Sequence, residues 1–234
     1  DTEDGGVTVH ITDEANNKKT AQISSTGQLL KVVDTDGSTV TYGYDSEGRQ
    51  NCEIDAYGKG IYRAYDENGN MIRLTDTGGQ NTYMTYDENG NVLTISNGDE
   101  ITGGYTYDEN NLLISRVDSK GLKTTYNYDE NGLLIKETTD GLGSILYTYE
   151  NGMRVQVTDY NGNVTRFQYD DVGNLICTSD VLGIKEKKTY DSLRRISEVE
   201  DANGKRISYT YDKRGNIVRE VDSASGEISY KYDN

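Results

Sequence analysis

The residues with the clearest potential for chemistry lie in acidic turns that begin Asp-x-Asn-x-Asn. Residues 66–70 and 87–91 both have this pattern, which also opens the calcium-binding loop of EF-hand proteins. A complete loop of that kind places a bidentate acid at its twelfth position. Here the twelfth residues are Thr77 and Gly98, so turn formation is the favoured interpretation and calcium binding is the alternative.

Other reactive side chains do not form a catalytic set. His10 is the only histidine, and no spacing links it to a Ser–Asp or Cys partner. Carboxylate pairs recur in nearly every turn, whereas an active site is normally a unique exception in a repetitive chain. The glycines precede strand patterns rather than helical ones, so none of them forms a glycine-rich phosphate-binding loop. We therefore predict that the chain is not an enzyme, with no catalytic residue, cofactor or metal.

Tyrosine pairs are a second candidate for binding. Pairs such as Tyr126/Tyr128 and Tyr209/Tyr211 are separated by one polar residue, so both members lie on one face of a strand. Tyrosine rings can stack on sugars or cations. Packing within a sheet is the favoured interpretation, and ligand stacking is the alternative.

The two cysteines, Cys52 and Cys177, occupy equivalent positions six repeats apart. In a flat ribbon of hairpins that advance about 9.6 Å each, roughly 55–60 Å would separate them. No disulfide spans such a distance. Free thiols are predicted, unless a spiral brings the two repeats together.

One repeated motif predicts the strands and turns that position all these residues. A tyrosine, usually followed by Asp, recurs every 21 residues, with a single 20-residue step from Tyr149 to Tyr169. A Gly three residues after the Asp completes most of these turns. The signature residues are Tyr44, Asp45, Gly48, Tyr65, Asp66, Gly69, Tyr86, Asp87, Gly90, Tyr107, Asp108, Tyr128, Asp129, Gly132, Tyr149, Tyr169, Asp170, Gly173, Tyr190, Asp191, Tyr211, Asp212, Gly215 and Tyr232.

Each repeat reads as a β-hairpin. The Asp-Glu-Asn-Gly turn supplies a Gly that can adopt positive φ, with Asn111 in that position once. A second turn, Asp-x-x-Gly, divides the unit, and the runs between turns alternate with a period of two. The sequence predicts an all-β chain of about eleven tandem 21-residue hairpins in a curved or spiral antiparallel sheet. Residues 1–22 form a degenerate first unit, whose register extends back to Thr2, and residues 23–234 the regular array.

Composition excludes several classes of partner. The formal net charge is −16, which disfavours nucleic acid and anionic membrane surfaces. No apolar run reaches the length of a membrane span, so membrane insertion is not expected. The first and last strands have no Pro to protect their edges, and edge-to-edge self-association is therefore an expectation.

These motifs resemble the YD repeat, also called the Rhs repeat, from about Ile23 to the end of the chain. The resemblance is carried by the Tyr-Asp pairs, by Gly-Asn-Leu-Ile at 173–176, and by the lead-in Thr-Thr-Tyr-Asn-Tyr-Asp at 124–129. It implies a hairpin array that winds into part of a hollow shell. In bacterial Rhs proteins and toxin complexes such a shell encloses a C-terminal toxin, and in teneurins it belongs to a cell-surface adhesion receptor.

The resemblance implies a non-enzymatic structural segment of a larger secreted or cell-surface bacterial protein. Its expected partners are neighbouring repeats, shell-closing segments and an enclosed toxin or effector domain. The alternative is a cell-surface adhesion module that binds a glycan or a protein. We expect the array to be one part of a longer polypeptide.

Overall fold

Strands and turns alternate along the chain because Asp- and Gly-containing turns interrupt runs of β-branched and aromatic residues. The computed structural model describes residues 5–14 and 17–233; Thr2 lies outside them. The described residues form 22 strands and no helix. The predicted all-β fold of tandem antiparallel hairpins is therefore confirmed. No helix of the described part of the chain could cross a membrane.

The chain divides into two units, unit 1 (Asp1–Lys123) and unit 2 (Thr124–Asn234). Unit 1 contains β1 (Val7–Thr12), β2 (Lys18–Ile23), β3 (Leu29–Val33), β4 (Thr39–Tyr44), β5 (Gln50–Asp55), β6 (Gly60–Tyr65), β7 (Met71–Thr75), β8 (Asn81–Tyr86), β9 (Val92–Asn97), β10 (Glu100–Tyr107) and β11 (Leu113–Asp118).

Unit 2 has the same repeat. Its first strand includes Lys123, which is the last residue of unit 1. Its strands are β12 (Lys123–Tyr128), β13 (Leu134–Thr139), β14 (Gly143–Glu150), β15 (Met153–Thr158), β16 (Val164–Tyr169), β17 (Leu175–Asp180), β18 (Gly183–Tyr190), β19 (Ile196–Asp201), β20 (Arg206–Tyr211), β21 (Ile217–Asp222) and β22 (Gly226–Ser229).

Within each unit every strand pairs antiparallel with the next strand in sequence. The hairpin closed by the Tyr-Asp turn has the longer ladder: β4 and β5 share five residue pairs, from Val40–Asp55 to Tyr44–Gln50. The Asp-x-x-Gly hairpin of β5 and β6 shares only three. Its strands therefore separate before they reach the Tyr-Asp end of the repeat.

A one-residue bulge follows each Tyr-Asp turn from Tyr44-Asp45 to Tyr211-Asp212. In β5, for example, Gln50 pairs with Tyr44 and Cys52 pairs with Gly43, so that Asn51 is the extra residue. Bulges of this kind strengthen the local right-handed twist of a strand pair.

Among the described residues of each unit, no second layer covers the strands of that unit. None of the described residues is a buried apolar side chain, and only Thr124 and Thr139 are buried polar residues. A sheet normally buries one face against another element. Here the side chains are shielded only by their neighbours on the same face, which explains why most strand residues are half-buried.

Candidate functional site

The signature aspartates hold the Tyr-Asp turns together. In the turn of Asp66, carboxylate Oδ1 accepts hydrogen bonds from the backbone N–H of Asn68 at 2.9 Å and of Asn70 at 2.8 Å. The Asp66 carbonyl accepts from the N–H of Gly69 at 3.1 Å, and Gly69 has φ of 89°. This is a type I turn followed by a residue in the left-handed region. The same pair of Oδ1 bonds occurs at Asp45, Asp87, Asp108, Asp129, Asp170, Asp191 and Asp212.

The second carboxylate oxygen is also occupied where Asn lies four residues after the Asp. Asn70 Nδ2 donates to Asp66 Oδ2 at 3.0 Å, and Asn91 Nδ2 donates to Asp87 Oδ2 at 2.9 Å. These amides are the main reason why the pKa of both carboxyls lies below its usual value. A cation would have to compete with all three donors of the turn. The described residues contain no group of three His, Cys, Asp or Glu side chains that could hold a metal.

The signature tyrosines connect the two strands of the Asp-x-x-Gly hairpin where its ladder has ended. Tyr65 Oη donates to the carbonyl oxygen of Gln50 at 2.9 Å, across a hairpin whose last paired residues are Cys52 and Tyr62. The hydroxyl therefore replaces a missing backbone donor. The same bond, always fifteen residues back, is made by Tyr44, Tyr86, Tyr149, Tyr169, Tyr190, Tyr211 and Tyr232, at 2.7–3.0 Å.

Two arginines join consecutive Tyr-Asp turns. Arg49 Nε donates to Asp45 Oδ2 at 2.7 Å, and its Nη1 donates to the Asp66 carbonyl oxygen of the next turn at 3.1 Å. Its guanidinium lies 4.9 Å from the centre of the Tyr65 ring. Arg195 repeats the arrangement with Asp191, Asp212 and Tyr211. Each contact is a charge-assisted hydrogen bond or a cation–π contact between neighbouring repeats.

Where the repeat changes, the turn geometry changes with it. The 20-residue step replaces the longer turn by a two-residue loop, Asn151-Gly152, with φ of 51° and 77°, which is the favoured type I′ hairpin. The Gly103–Gly104 pair directly follows a bulge in β10, between Ile101 and Gly103, and the Tyr105 ring lies against Gly103.

The remaining predicted candidates stay separate from one another. His10 is exposed on β1, with Nδ1 3.4 Å from the Thr20 hydroxyl. Cys52 in unit 1 and Cys177 in unit 2 carry free thiols. Among the tyrosine pairs, Tyr147 Oη donates to Glu137 Oε2 at 3.4 Å; burial and then the Glu137 charge raise the pKa of Tyr147. No catalytic constellation forms among these residues.

Three features of the structure were not predicted from the sequence pattern. The tyrosine–carbonyl bond depends on where the ladder ends, and the Arg49 and Arg195 contacts depend on the stacking of turns. Arg194 adopts φ of 61° in a slot that Gly fills in most repeats. Only this last feature had a visible signal, because Arg interrupts the Gly series at that position.

Comparison with sequence families places the array among known repeats. The sequence model of the Teneurin YD-shell matches residues 59–189, more than half of the chain. The RHS Repeat model matches residues 24–59 and 190–228. No curated protein sequence matches the chain.

Solved structures share the fold at low sequence identity. TcdB2-TccC3 without its hypervariable C-terminal region superposes with a TM-score of 0.67 at 14% identity, over 93% of this chain and 15% of that one. The TcdB2-TccC3-Cdc42 structure gives 0.65 at 13% identity, over 99% and 18%. The Photorhabdus luminescens Tc holotoxin pore gives 0.50 at 13% identity, over 91% and 16%. The chain thus spans less than a fifth of the length of these solved chains.

Proposed function

The chain belongs to the teneurin YD-shell family, and from this membership we propose that it is a non-enzymatic wall segment. The wall would be part of a β-shell that encloses a C-terminal toxin or effector of a large secreted or cell-surface bacterial protein. Its direct partners would be neighbouring repeats, shell-closing segments and the enclosed domain.

One observation carries the proposal: the signature residues are used to hold the hairpins. Every signature Asp with a described turn accepts backbone N–H groups of its own turn, and eight signature tyrosines bridge the strands of a hairpin. At Asp66, Oδ1 accepts backbone N–H groups and Oδ2 accepts the side-chain amide of Asn70, so both oxygens are engaged. A side chain that is fully engaged in the scaffold is poorly placed to bind substrate or metal.

The fold similarity supports the same role. One of the similar solved structures is TcdB2-TccC3 without its hypervariable C-terminal region. We propose that the present array contributes wall rather than cargo. That the wall is curved, and that the enclosed domain is a toxin or effector, are both part of this proposal.

Protease protection in the natural full-length polypeptide tests the proposal. We expect an enclosed C-terminal domain to resist trypsin, and to become sensitive when the wall is weakened by Gly69→Val with Gly90→Val. Both glycines have φ above 80°, where a β-branched residue is strained. The control is Gly104→Ala, because a Cβ there would meet no atom within 4 Å. Equal digestion of the C-terminal domain in all three proteins would contradict the proposal.

A second candidate function is recognition of a glycan or protein at a cell surface. It is favoured by one observation, the exposure of tyrosines on β6 and β8, where Tyr62 and Tyr83 are 40% and 38% exposed. These residues lie outside the signature set. The role would add to the wall function and does not replace it.

A further inference from the structure

The two faces of β4–β9 in unit 1 differ in chemistry. Alternation along each strand places Tyr65, Arg63 and Ile61 on one side of β6, and Ala64, Tyr62 and Gly60 on the other. We call the second side the hydroxyl face. On the neighbouring strands, strand pairing assigns to it Arg73, Thr75, Tyr83, Thr85, Thr94 and Ser96.

The hydroxyl face of β4–β9 carries no acidic residue. Glu53, which pairs with Tyr42 and Ile61, belongs to the opposite face, and the other acids of this region lie in turns or on that opposite face. This is unusual in a chain with a formal net charge of −16. The face therefore lacks the carboxylates that would repel an anion at short range.

Arg73 is the one cation of the hydroxyl face on β4–β9. It is exposed, and it lies directly opposite Tyr83 on one side and Ala64 on the other. No ion pair or hydrogen bond of its side chain occurs within the described part of the chain. A free guanidinium of this kind can bind a carboxylate through two parallel hydrogen bonds.

Two tyrosine rings flank this arginine. Tyr62 lies against Gly60, where an added Cβ would meet its ring at 3.2 Å, so the ring covers the glycine and leaves its outer surface accessible. Tyr83 lies two strands away and two residues along the strand, which corresponds to a backbone separation of about 12 Å. That separation can hold alternate sugar rings of one extended chain.

The hydroxyls around the rings complete a polar, open surface. Thr75 donates to Asn81 at 2.6 Å, and Thr85 and Thr94 share a hydrogen bond of 2.6 Å. Each hydroxyl keeps further lone-pair capacity for an incoming sugar hydroxyl. Aromatic platforms, hydroxyls and one arginine together match an oligosaccharide better than an apolar ligand, because polar groups surround the two rings.

We propose that the hydroxyl face of β6–β9 binds an acidic oligosaccharide, with sugar rings packed on Tyr62 and Tyr83 and a sugar carboxylate paired with Arg73. The inference deepens the second candidate function. It is independent of the wall role, since a wall that binds no glycan would still protect an enclosed domain from trypsin.

Isothermal titration of the whole chain with matched hexasaccharides tests the inference. The probes are β-1,4-linked glucuronic acid hexamer and cellohexaose, which share a backbone and differ in the carboxylates, together with a hexaglutamate peptide. The glucuronic acid hexamer should bind at least tenfold more tightly than cellohexaose or hexaglutamate. No binding of the glucuronic acid hexamer at millimolar concentration would overturn the inference, and so would equal binding of either other probe.

Variants locate the site. Tyr62→Ala and Tyr83→Ala should each weaken binding of the glucuronic acid hexamer about tenfold, as expected for one lost stacking contact. Arg73→Gln should reduce that binding to the level of cellohexaose or below it, and Arg73→Glu should abolish it. The control is Tyr57→Ala, because Tyr57 is 91% exposed in a turn and should be neutral. Binding that survives Arg73→Glu would overturn the inference. Circular dichroism shows whether each variant folds. Because Arg73 is exposed and unpaired, Arg73→Glu should fold, so the test remains valid even if a tyrosine variant does not fold.

Discussion

The hydroxyl of Tyr86 lies 2.8 Å from the carbonyl oxygen of Met71, fifteen residues earlier. The backbone ladder between their strands, β7 and β8, ends at Arg73 and Tyr83. The tyrosine thus closes the open end of a hairpin that the backbone alone leaves unpaired. Burial raises the pKa of Tyr86, as expected for a phenol that donates while shielded from water.

Removal of this hydroxyl should weaken the array. Tyr86→Phe keeps the ring and deletes the donor, so the Met71 carbonyl loses its partner, and we expect the free energy of unfolding to fall by about 1 kcal/mol. Urea unfolding followed by circular dichroism measures the change. Tyr57→Phe is the control, because that ring is almost fully exposed. An unchanged midpoint for Tyr86→Phe would show that the bond is not a stabilising contact.

Arg194 stores backbone strain that glycine would relieve. Its φ of 61° lies in the left-handed region, so Arg194→Gly should raise the free energy of unfolding by about 1 kcal/mol. The matched reverse change is Gly215→Arg, at the same slot of the next turn, where φ is 93° and an added Cβ meets nothing within 4 Å. It should be destabilising. Shifts of the same sign for the two variants in urea unfolding would refute the backbone explanation.

Stability should decline in acid through specific carboxylates. Lys205 Nζ lies 2.8 Å from Asp222 Oδ2, and this contact, with backbone N–H groups of the turn, lowers the pKa of Asp222 to about 2. A carboxyl whose pKa is lowered by folding stabilises the folded chain at any pH above its pKa in the unfolded chain. This contribution is lost as the pH falls toward its pKa in the folded chain. The free energy of unfolding should therefore decrease between about pH 4 and pH 2.

The Lys205→Gln variant isolates this contact. We expect its Asp222 carboxyl to titrate at higher pH than in the parent chain when followed by NMR. Lys213→Gln removes a lysine from the Asp212 turn and should leave the Asp222 titration unchanged. A titration of Asp222 that is the same in all three proteins would rule out the lysine as the cause.

Self-association should proceed through the outer edge of β1. Among the described residues β1 pairs only with β2, and its Val7, Val9 and Ile11 are 51%, 38% and 55% exposed. Unprotected apolar edges of this kind pair with other chains. Val9→Lys should reduce concentration-dependent light scattering, whereas Thr210→Lys adds the same charge to an exposed site in unit 2 and should not. Scattering that is independent of concentration in the parent chain would contradict this expectation.

The strands and turns were predictable because their determinants are local. Gly69 and Asn111 occupy positions that require positive φ, and the period of two in β20 is visible in the letters alone. The hairpin count follows from the 21-residue spacing of the tyrosines.

The contacts between strands were not predictable in the same way. The partner of Tyr86 is fixed by the point at which the ladder ends, which depends on pairing register and bulge position rather than on residue type. The exposure of Tyr62 likewise depends on the absence of a covering layer. Alternation could assign Tyr62 to a face, but it could not show that nothing packs on that face among the described residues.

The central claim is that each hairpin is stable only when neighbouring repeats complete it, as the tyrosine bonds and the lack of a buried apolar core in the described residues indicate. Far-UV circular dichroism of the whole chain and of a peptide comprising residues 60–80, one repeat in length, tests it directly. The account predicts a β-sheet spectrum for the chain and an unfolded spectrum for the peptide at the same residue concentration. A peptide that folds alone into a stable hairpin would contradict it.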